Sequence, residues 1–364
     1  MKKHYGKYLP MFALLPVVGL IGCGGSGTDG SGTAGARTVG AITAVDANSV
    51  TVSGSNFDTS SSTVGGDEVS STDQLKPGMV VEVDGTMDSS NHGTAHDIDY
   101  DAEVEGKVDV NDLAGGGDFI VMGQMIDMSR NPYFDNDYMP NYATIADIPV
   151  GAMVEVSGYS DGMGTIVATY IELEHDSSDS NDEMELEGIV TDHDPANGTF
   201  KIGGQMIHYD PTNINMMVQD GMNVEVDMHM DDMGNMHAYE IEEEDDYSDY
   251  YYSDDEVEIE GMVTSDGIAE DGTFVITAKE AVTVMLADNV EFEDGLTEAD
   301  IVNGALIEVE GFFDENGILI AHEVSPEGDD DSEYDDSYDD SSDDDSTDDS
   351  TDDSSSDDLT STPS

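Results

Sequence analysis

A pattern of Gly, two residues, Val or Ile, then Glu and Val occurs four times in this chain, starting at Gly78, Gly151, Gly221 and Gly304. The copies read Gly78-Met-Val-Val-Glu-Val83, Gly151-Ala-Met-Val-Glu-Val156, Gly221-Met-Asn-Val-Glu-Val226 and Gly304-Ala-Leu-Ile-Glu-Val309. In every copy an Ala stands 17 residues after the Gly, at Ala95, Ala168, Ala238 and Ala321, with Ile98, Ile171, Ile241 or Val324 three places later. An offset kept four times marks one supersecondary unit used repeatedly, so the chain folds as a series of small modules. The absence of Trp and the 37 % hydrophobic content point away from one large core.

A second marker precedes each block: Gly40 with Ile42, Gly106 with Val108, Gly188 with Val190 and Gly261 with Val263, the last three glycines each following a Glu. β-rich runs come next, at Ser49 to Val52, Asp118 to Val121, Thr199 to Ile202 and Thr273 to Ile276. Turn residues such as Asp231-Asp-Met-Gly-Asn235 and Asp314-Glu-Asn-Gly317 separate the Glu-Val strand from the Ala strand, which makes those two strands a hairpin. About five short strands per module are too few for a sandwich, and an open sheet would leave sticky edges. The expected fold is therefore all-β: a tandem array of four small OB-like β-barrel modules with acidic linkers and a disordered acidic tail. The expected modules span 38–100, 101–174, 185–242 and 257–325, with linkers at 175–184 and 243–256 and the tail at 326–364.

The markers resemble a family of secreted bacterial proteins known as domain of unknown function 5666. The resemblance runs from residue 38 to 325 and rests on the Gly-x-Val start, the Leu75-Lys-Pro-Gly78 turn, the Val-Glu-Val strand and the Ala-x-x-Ile end. The first copy departs from it by lacking the Glu before Gly40, the second by a longer insertion before Gly151. The resemblance implies an architecture and attaches no activity.

Lys2, Lys3 and Lys7 precede an apolar stretch from Leu9 to Ile21, broken by Pro10 and Pro16 and too short to span a bilayer, which reads as an export signal over 1–22. The stretch ends Leu20-Ile21-Gly22-Cys23, which resembles the lipobox of bacterial lipoproteins. That resemblance implies cleavage before Cys23, the only Cys, and its acylation, with two or more chains giving stable anchoring. Gly24 stands where an Asp would retain the protein in the inner membrane, so the expected destination is the outer membrane. Residues 23–37, rich in Gly and Ser, form a flexible tether with a reach of roughly 20 Å.

The chain has 84 acidic and nine basic residues, a formal charge of -75. That excludes nucleic acid as a partner, because phosphate binding needs Lys and Arg. The tail does not account for the acidity: residues 39–326, modules and linkers together, carry about -60. Two readings compete, adaptation to a saline habitat and specific calcium binding. The nearest calcium loop, Asp192-His-Asp-Pro-Ala-Asn-Gly198, has its Gly one place late and no closing Glu, so it is not an EF-hand.

Gly158-Tyr-Ser-Asp-Gly162 matches Gly-x-Ser-x-Gly only in the turn of a hairpin, not between a strand and a helix, and there is no phosphate loop and no dinucleotide fingerprint at a strand-to-helix junction, so the sequence reads as non-enzymatic and without a resident cofactor. Residues 206 to 236 hold eight Met, with His229 and His237 interleaved in Met228-His-Met-Asp-Asp-Met-Gly-Asn-Met-His237. Thioether and imidazole together suit Cu(I). A hairpin turning at Met233-Gly234 puts Met230 opposite His237 and Met228 on the same face, a candidate metal site of Met228, Met230 and His237. The competing reading is that these Met fill the barrel. His92 and His96 read as a solvated pair. The insertion Arg130-Asn-Pro-Tyr-Phe-Asp-Asn-Asp-Tyr-Met-Pro-Asn-Tyr142 reads as a lid over its own barrel or as a contact surface for glycan or protein. The functional expectation is a lipid-anchored, highly acidic cell-envelope protein acting as a binding or spacer module at the outer membrane. Its partners would be the membrane, cations and an envelope protein or glycan. The alternative is a periplasmic metal-binding lipoprotein using Cu(I) or Ca.

Overall fold

A computed structural model describes residues 34–326, apart from 67–68, 89, 178–181, 215, 244–254 and 280. The export signal, Cys23, most of the tether, much of both linkers and nearly all of the acidic tail lie outside the described residues.

The repeated markers build the same circuit four times. In module one, β1 (Ala34–Asp46) pairs antiparallel with β2 (Ser49–Val52), and β2 with β3 (Ser55–Asp58). A short β4 (Thr63–Gly65) lies outside the circuit, on the last strand. β5 (Val80–Met87) and β6 (His92–Asp99) form the hairpin; β6 runs parallel to β3, and β5 returns to β1. The ring closes on itself, which removes the open edges a five-stranded sheet would expose.

Module two repeats the ring with β7 (Val104–Asn111), β8 (Phe119–Val121), β9 (Gln124–Asp127), β11 (Met153–Ser160) and β12 (Thr165–His175), while β10 (Tyr133–Asp135) adds to β12. Module three uses β13 (Met184–Asp194), β14 (Thr199–Ile202), β15 (Gln205–His208), β16 (Asn223–Met230) and β17 (Met236–Glu243). Module four uses β18 (Glu256–Val263), β19 (Thr273–Thr277), β20 (Ala281–Phe292), β21 (Leu306–Phe313) and β22 (Leu319–Pro326). The all-β expectation holds, as four barrels.

Both sequence markers have a backbone cause. Gly78, Gly151, Gly221 and Gly304 have φ of 92°, 92°, 91° and 85°, where a side chain is strained. In that conformation each donates its N–H to the carbonyl of the upstream marker residue, Ile42, Val108, Val190 or Val263, over 2.7 to 2.8 Å. The two markers are the two ends of one pairing, repeated in every barrel.

Each hairpin also carries a bulge at an equivalent place, between Asp84 and Gly85, Ser157 and Gly158, Asp227 and Met228, and Glu310 and Gly311. A bulge bends and twists the strand, which helps a small ring to close. Inward residues alternate along the strands: Val81 and Val83, Val154 and Val156, Val224 and Val226, Ile307 and Val309 are all buried.

The modules are not strung like beads. β1 pairs parallel with β18, setting Val39 beside Ile259, and β7 pairs antiparallel with β13, setting Val104 beside Leu186. Modules one and four thus share one eleven-stranded sheet, and modules two and three share another. A small apolar cluster of Val80, Tyr159, Val167 and Met262 joins the two pairs. Around it Val80 N–H donates to Ser157 Oγ over 3.0 Å, Thr169 Oγ1 donates to Gly78 O over 2.6 Å, and Lys279 meets Asp101 at 3.0 Å. Among the described residues no helix is long and apolar enough to cross a membrane.

Candidate functional site

The Leu75-Lys-Pro-Gly78 turn of module one and the 130–142 insertion of module two face each other across a cleft of about 630 Å³. Its walls carry Asp73, Asp135, Asp137, Glu155, Glu172 and Glu174, with Lys76 and His175 beside them and Val69, Met79, Tyr138 and Met139 as the apolar part. Six carboxylates against one ammonium make it a strongly negative concavity, one that gathers cations and rejects anions.

The insertion carries hydrogen bonds of its own. The Asp135 carboxylate accepts the Asp137 N–H over 2.9 Å, and Asn136 donates its side-chain amide to Tyr142 O over 2.6 Å. Phe134, Met139 and Tyr142 pack on the core of their own barrel, while Asp135, Asp137 and Tyr138 turn to the cleft. The segment therefore covers its barrel and also walls the cleft. Lys76 reaches across from module one to Asp135 at 2.8 Å and Asp137 at 3.3 Å. Its hydrogen bond to Asp135 holds its ammonium well above the usual lysine range.

The floor is more deeply set. Tyr170 donates to Glu172 over 2.6 Å and stacks on Tyr133 with ring centroids 6.2 Å apart; Tyr100 of module one donates to Glu155 of module two. Burial pushes the Glu172 carboxyl up, and burial with the adjoining carboxylates pushes both tyrosine hydroxyls far above their ordinary range. These two tyrosines act as neutral donors that hold the carboxylates in place.

Glu155 and Glu172 belong to a longer row. Glu172 stands opposite Glu155, Glu155 opposite Glu105, and Glu105 opposite Glu185, four carboxylates in line across β12, β11, β7 and β13. The middle pair of the row, Glu105 with Glu155, comes from the two sequence markers: the Glu before each upstream Gly lies opposite the Glu of Val-Glu-Val, as also in Glu187 with Glu225 and Glu260 with Glu308. Module one lacks that first Glu, and Val39 stands opposite Glu82, which pairs with Arg37.

The proposed thioether and imidazole set is not brought together. Without a bulge, the pairing of Asp227 with Glu240 would continue to Met230 opposite His237. The bulge after Asp227 shifts the register by one residue, so Met230 pairs with Met236 and His229 with His237. Met228 and Met236 are buried in the barrel, whereas His237 lies on its outer face. Met228 occupies the place of Gly85, Gly158 and Gly311 in the other modules.

His92 and His96 are both exposed on β6. In the loop at 192–198, Asp194 accepts the N–H groups of Ala196 and Asn197, a turn in which the carboxylate serves its own backbone. Tyr100 and Lys76, which shape the cleft from module one, had no sequence signal for that role, because their partners Glu155 and Asp135 lie in module two.

A chain of closed five-stranded barrels with glutamate rows at their junctions is a tandem β-barrel repeat protein. The family model described as Domain of unknown function (DUF5666) matches residues 39–99, 105–172, 187–242 and 260–325, and the chain belongs to that family. The four copies read from the markers are the four matches. No curated protein matches the chain. Among solved structures, one titled drosophila Unr CSD456 is 14 % identical, covering 59 % of this chain and 98 % of its own, with a TM-score of 0.17, too low to define a common fold.

Proposed function

We propose that this protein is a non-enzymatic, lipid-anchored protein of the outer membrane that holds cationic partners in the cleft between modules one and two. The observation that carries the reading is the cleft itself: six carboxylates and one lysine ammonium line a concavity walled by two modules. Charge of one sign in a recess raises the local concentration of counter-charged groups and speeds their capture. The Tyr138 ring, 76 % exposed at the rim, adds a face on which an alkylammonium or guanidinium stem packs. The reading is non-enzymatic because the carboxylates of the floor are engaged with Tyr100 and Tyr170 and those of the insertion with Lys76. Anchoring rests on the lipobox resemblance at Cys23 and the tether that follows it. Cu(I) binding by Met228, Met230 and His237 is not carried forward, because Met228 and His237 lie on opposite faces of one sheet.

Fluorescence anisotropy with a labelled lysine-rich peptide at physiological salt tests the cleft. The Asp137→Asn, Glu174→Gln double variant changes two carboxylates of its wall and should bind about tenfold more weakly. Equal affinity of variant and parent would mean that the peptide reads the general surface charge, and the cleft would cease to be the site.

A further inference from the structure

The outer face of module three carries a row that no other module has. His208 pairs with His237 across the parallel strands β15 and β17, and His237 pairs with His229 across the antiparallel strands β17 and β16. Residues opposite one another on neighbouring strands share a face, with Cβ atoms about 5 Å apart. Three imidazoles thus stand side by side: ring centroids are 5.2 Å apart for His208 and His237, and 6.4 Å for His237 and His229, with both pairs inclined by 28°. His229 is exposed and the other two are half-buried, so the row is open to solvent. At the equivalent places module one has Asp58, Thr94 and Thr86, module two Asp127, Val167 and Tyr159, and module four Met285, Ile320 and Phe312. The barrel does not need histidine there.

We infer that His208, His229 and His237 form a binding site for a divalent transition-metal ion, Cu(II) or Zn(II), on the outer face of module three. Imidazole nitrogen is the ligand these ions favour over the carboxylates that dominate the rest of this surface. An ion about 2 Å from each of two nitrogens requires those nitrogens to lie roughly 3 Å apart, within reach of neighbouring rings turned about their side-chain bonds. Asp231 adds the outer partner. Its Oδ2 lies 3.3 Å from His237 Nε2 and is itself held by the Asn235 side chain at 2.9 Å. A carboxylate on one ring nitrogen leaves the other for the ion and orients the ring, as is usual for metal-bound histidine. The same register shift that separates His237 from Met228 lines it up with His229. This site uses no residue of the cleft and does not depend on the function proposed for it.

The test uses the full chain carrying Cys23→Ser, so that no thiol competes, in millimolar magnesium to occupy carboxylates. Titration with Cu(II) should show one tight equivalent, with electron paramagnetic resonance reporting coordination by two or three nitrogens. His237→Ala removes the middle ring and should weaken binding at least tenfold, and His208→Gln should weaken it less. His96→Ala, which changes an exposed histidine on β6 of module one, should have no effect. An oxygen-only spectrum overturns the proposal, as does binding unchanged in His237→Ala or binding lost in His96→Ala.

Discussion

Glu260 and Glu308 stand directly opposite one another on the antiparallel strands β18 and β21, where like charges repel. Glu260 is almost fully buried; Ser53 of module one donates to it over 3.3 Å, and Tyr159 of module two also bonds to it. Burial and the neighbouring Glu260 and Glu310 push the Glu308 carboxyl up to about 8 from its ordinary 4.5, and burial raises Glu260 and Glu258 as well. The folded state therefore binds more protons than the unfolded chain between these values. It follows that stability is greatest below about pH 4.5 for these groups and is lost as the pH rises through 8. Denaturant titrations at pH 5.5, 7 and 8.5 should show falling stability, and Glu308→Gln should flatten the fall. A rise over that range would contradict the assignment.

Tyr159 ties three modules together: its hydroxyl accepts the Ala41 N–H over 3.0 Å and bonds to Glu260, and its ring sits in the apolar cluster with Val80 and Met262. Tyr159→Phe keeps the ring and leaves a buried N–H and a buried carboxylate short of a partner. The expected loss is about 1 to 3 kcal/mol, read by chemical denaturation. An unchanged midpoint would mean that water takes the place of the hydroxyl.

Salt should stabilise the fold. With a formal charge of -75 on the chain, repulsion is strong where the screening length is roughly 30 Å, at 0.01 M, and weak where it is about 8 Å, at 0.15 M. Melting temperature should rise over that range in sodium chloride. Calcium acting far below the matched ionic strength would reveal specific carboxylate sites, since bound ions stabilise with the logarithm of their concentration. Equal effects at matched ionic strength would assign the acidity to general adaptation.

Cys23→Ser should leave the protein unacylated and move it from the membrane to the soluble fraction on cell fractionation. Cys23 is the chain's only Cys, so no second thiol can take an acyl chain. Retention in the membrane fraction would remove the lipid anchor from the proposed function.

What the sequence determined by itself was whatever depends on neighbours in the chain. The Gly that must take a left-handed φ, the alternation of Val-Glu-Val and the turn after it are local requirements, so they recur visibly at Gly78, Gly151, Gly221 and Gly304 and announce four barrels. The acidic turn residues are local too: Asp161, Asp231 and Asp314 each accept the N–H two residues on over 2.8 Å, which accounts for part of the charge as backbone chemistry. Tertiary structure decided what joins residues far apart. The pairing of β1 with β18 sets Thr38 beside Glu258, and no periodicity encodes a contact across 220 positions. The meeting of Lys76 with Asp135, which bridges the cleft, is equally silent in the sequence. The third-module histidines fall between these cases. His229 and His237 were legible in the sequence and His208 was not, but one bulged residue on β17, Tyr239 opposite the step from Asp227 to Met228, decides that His237 shares the face of His229, because side chains in a strand alternate and a shift of one reverses those beyond it.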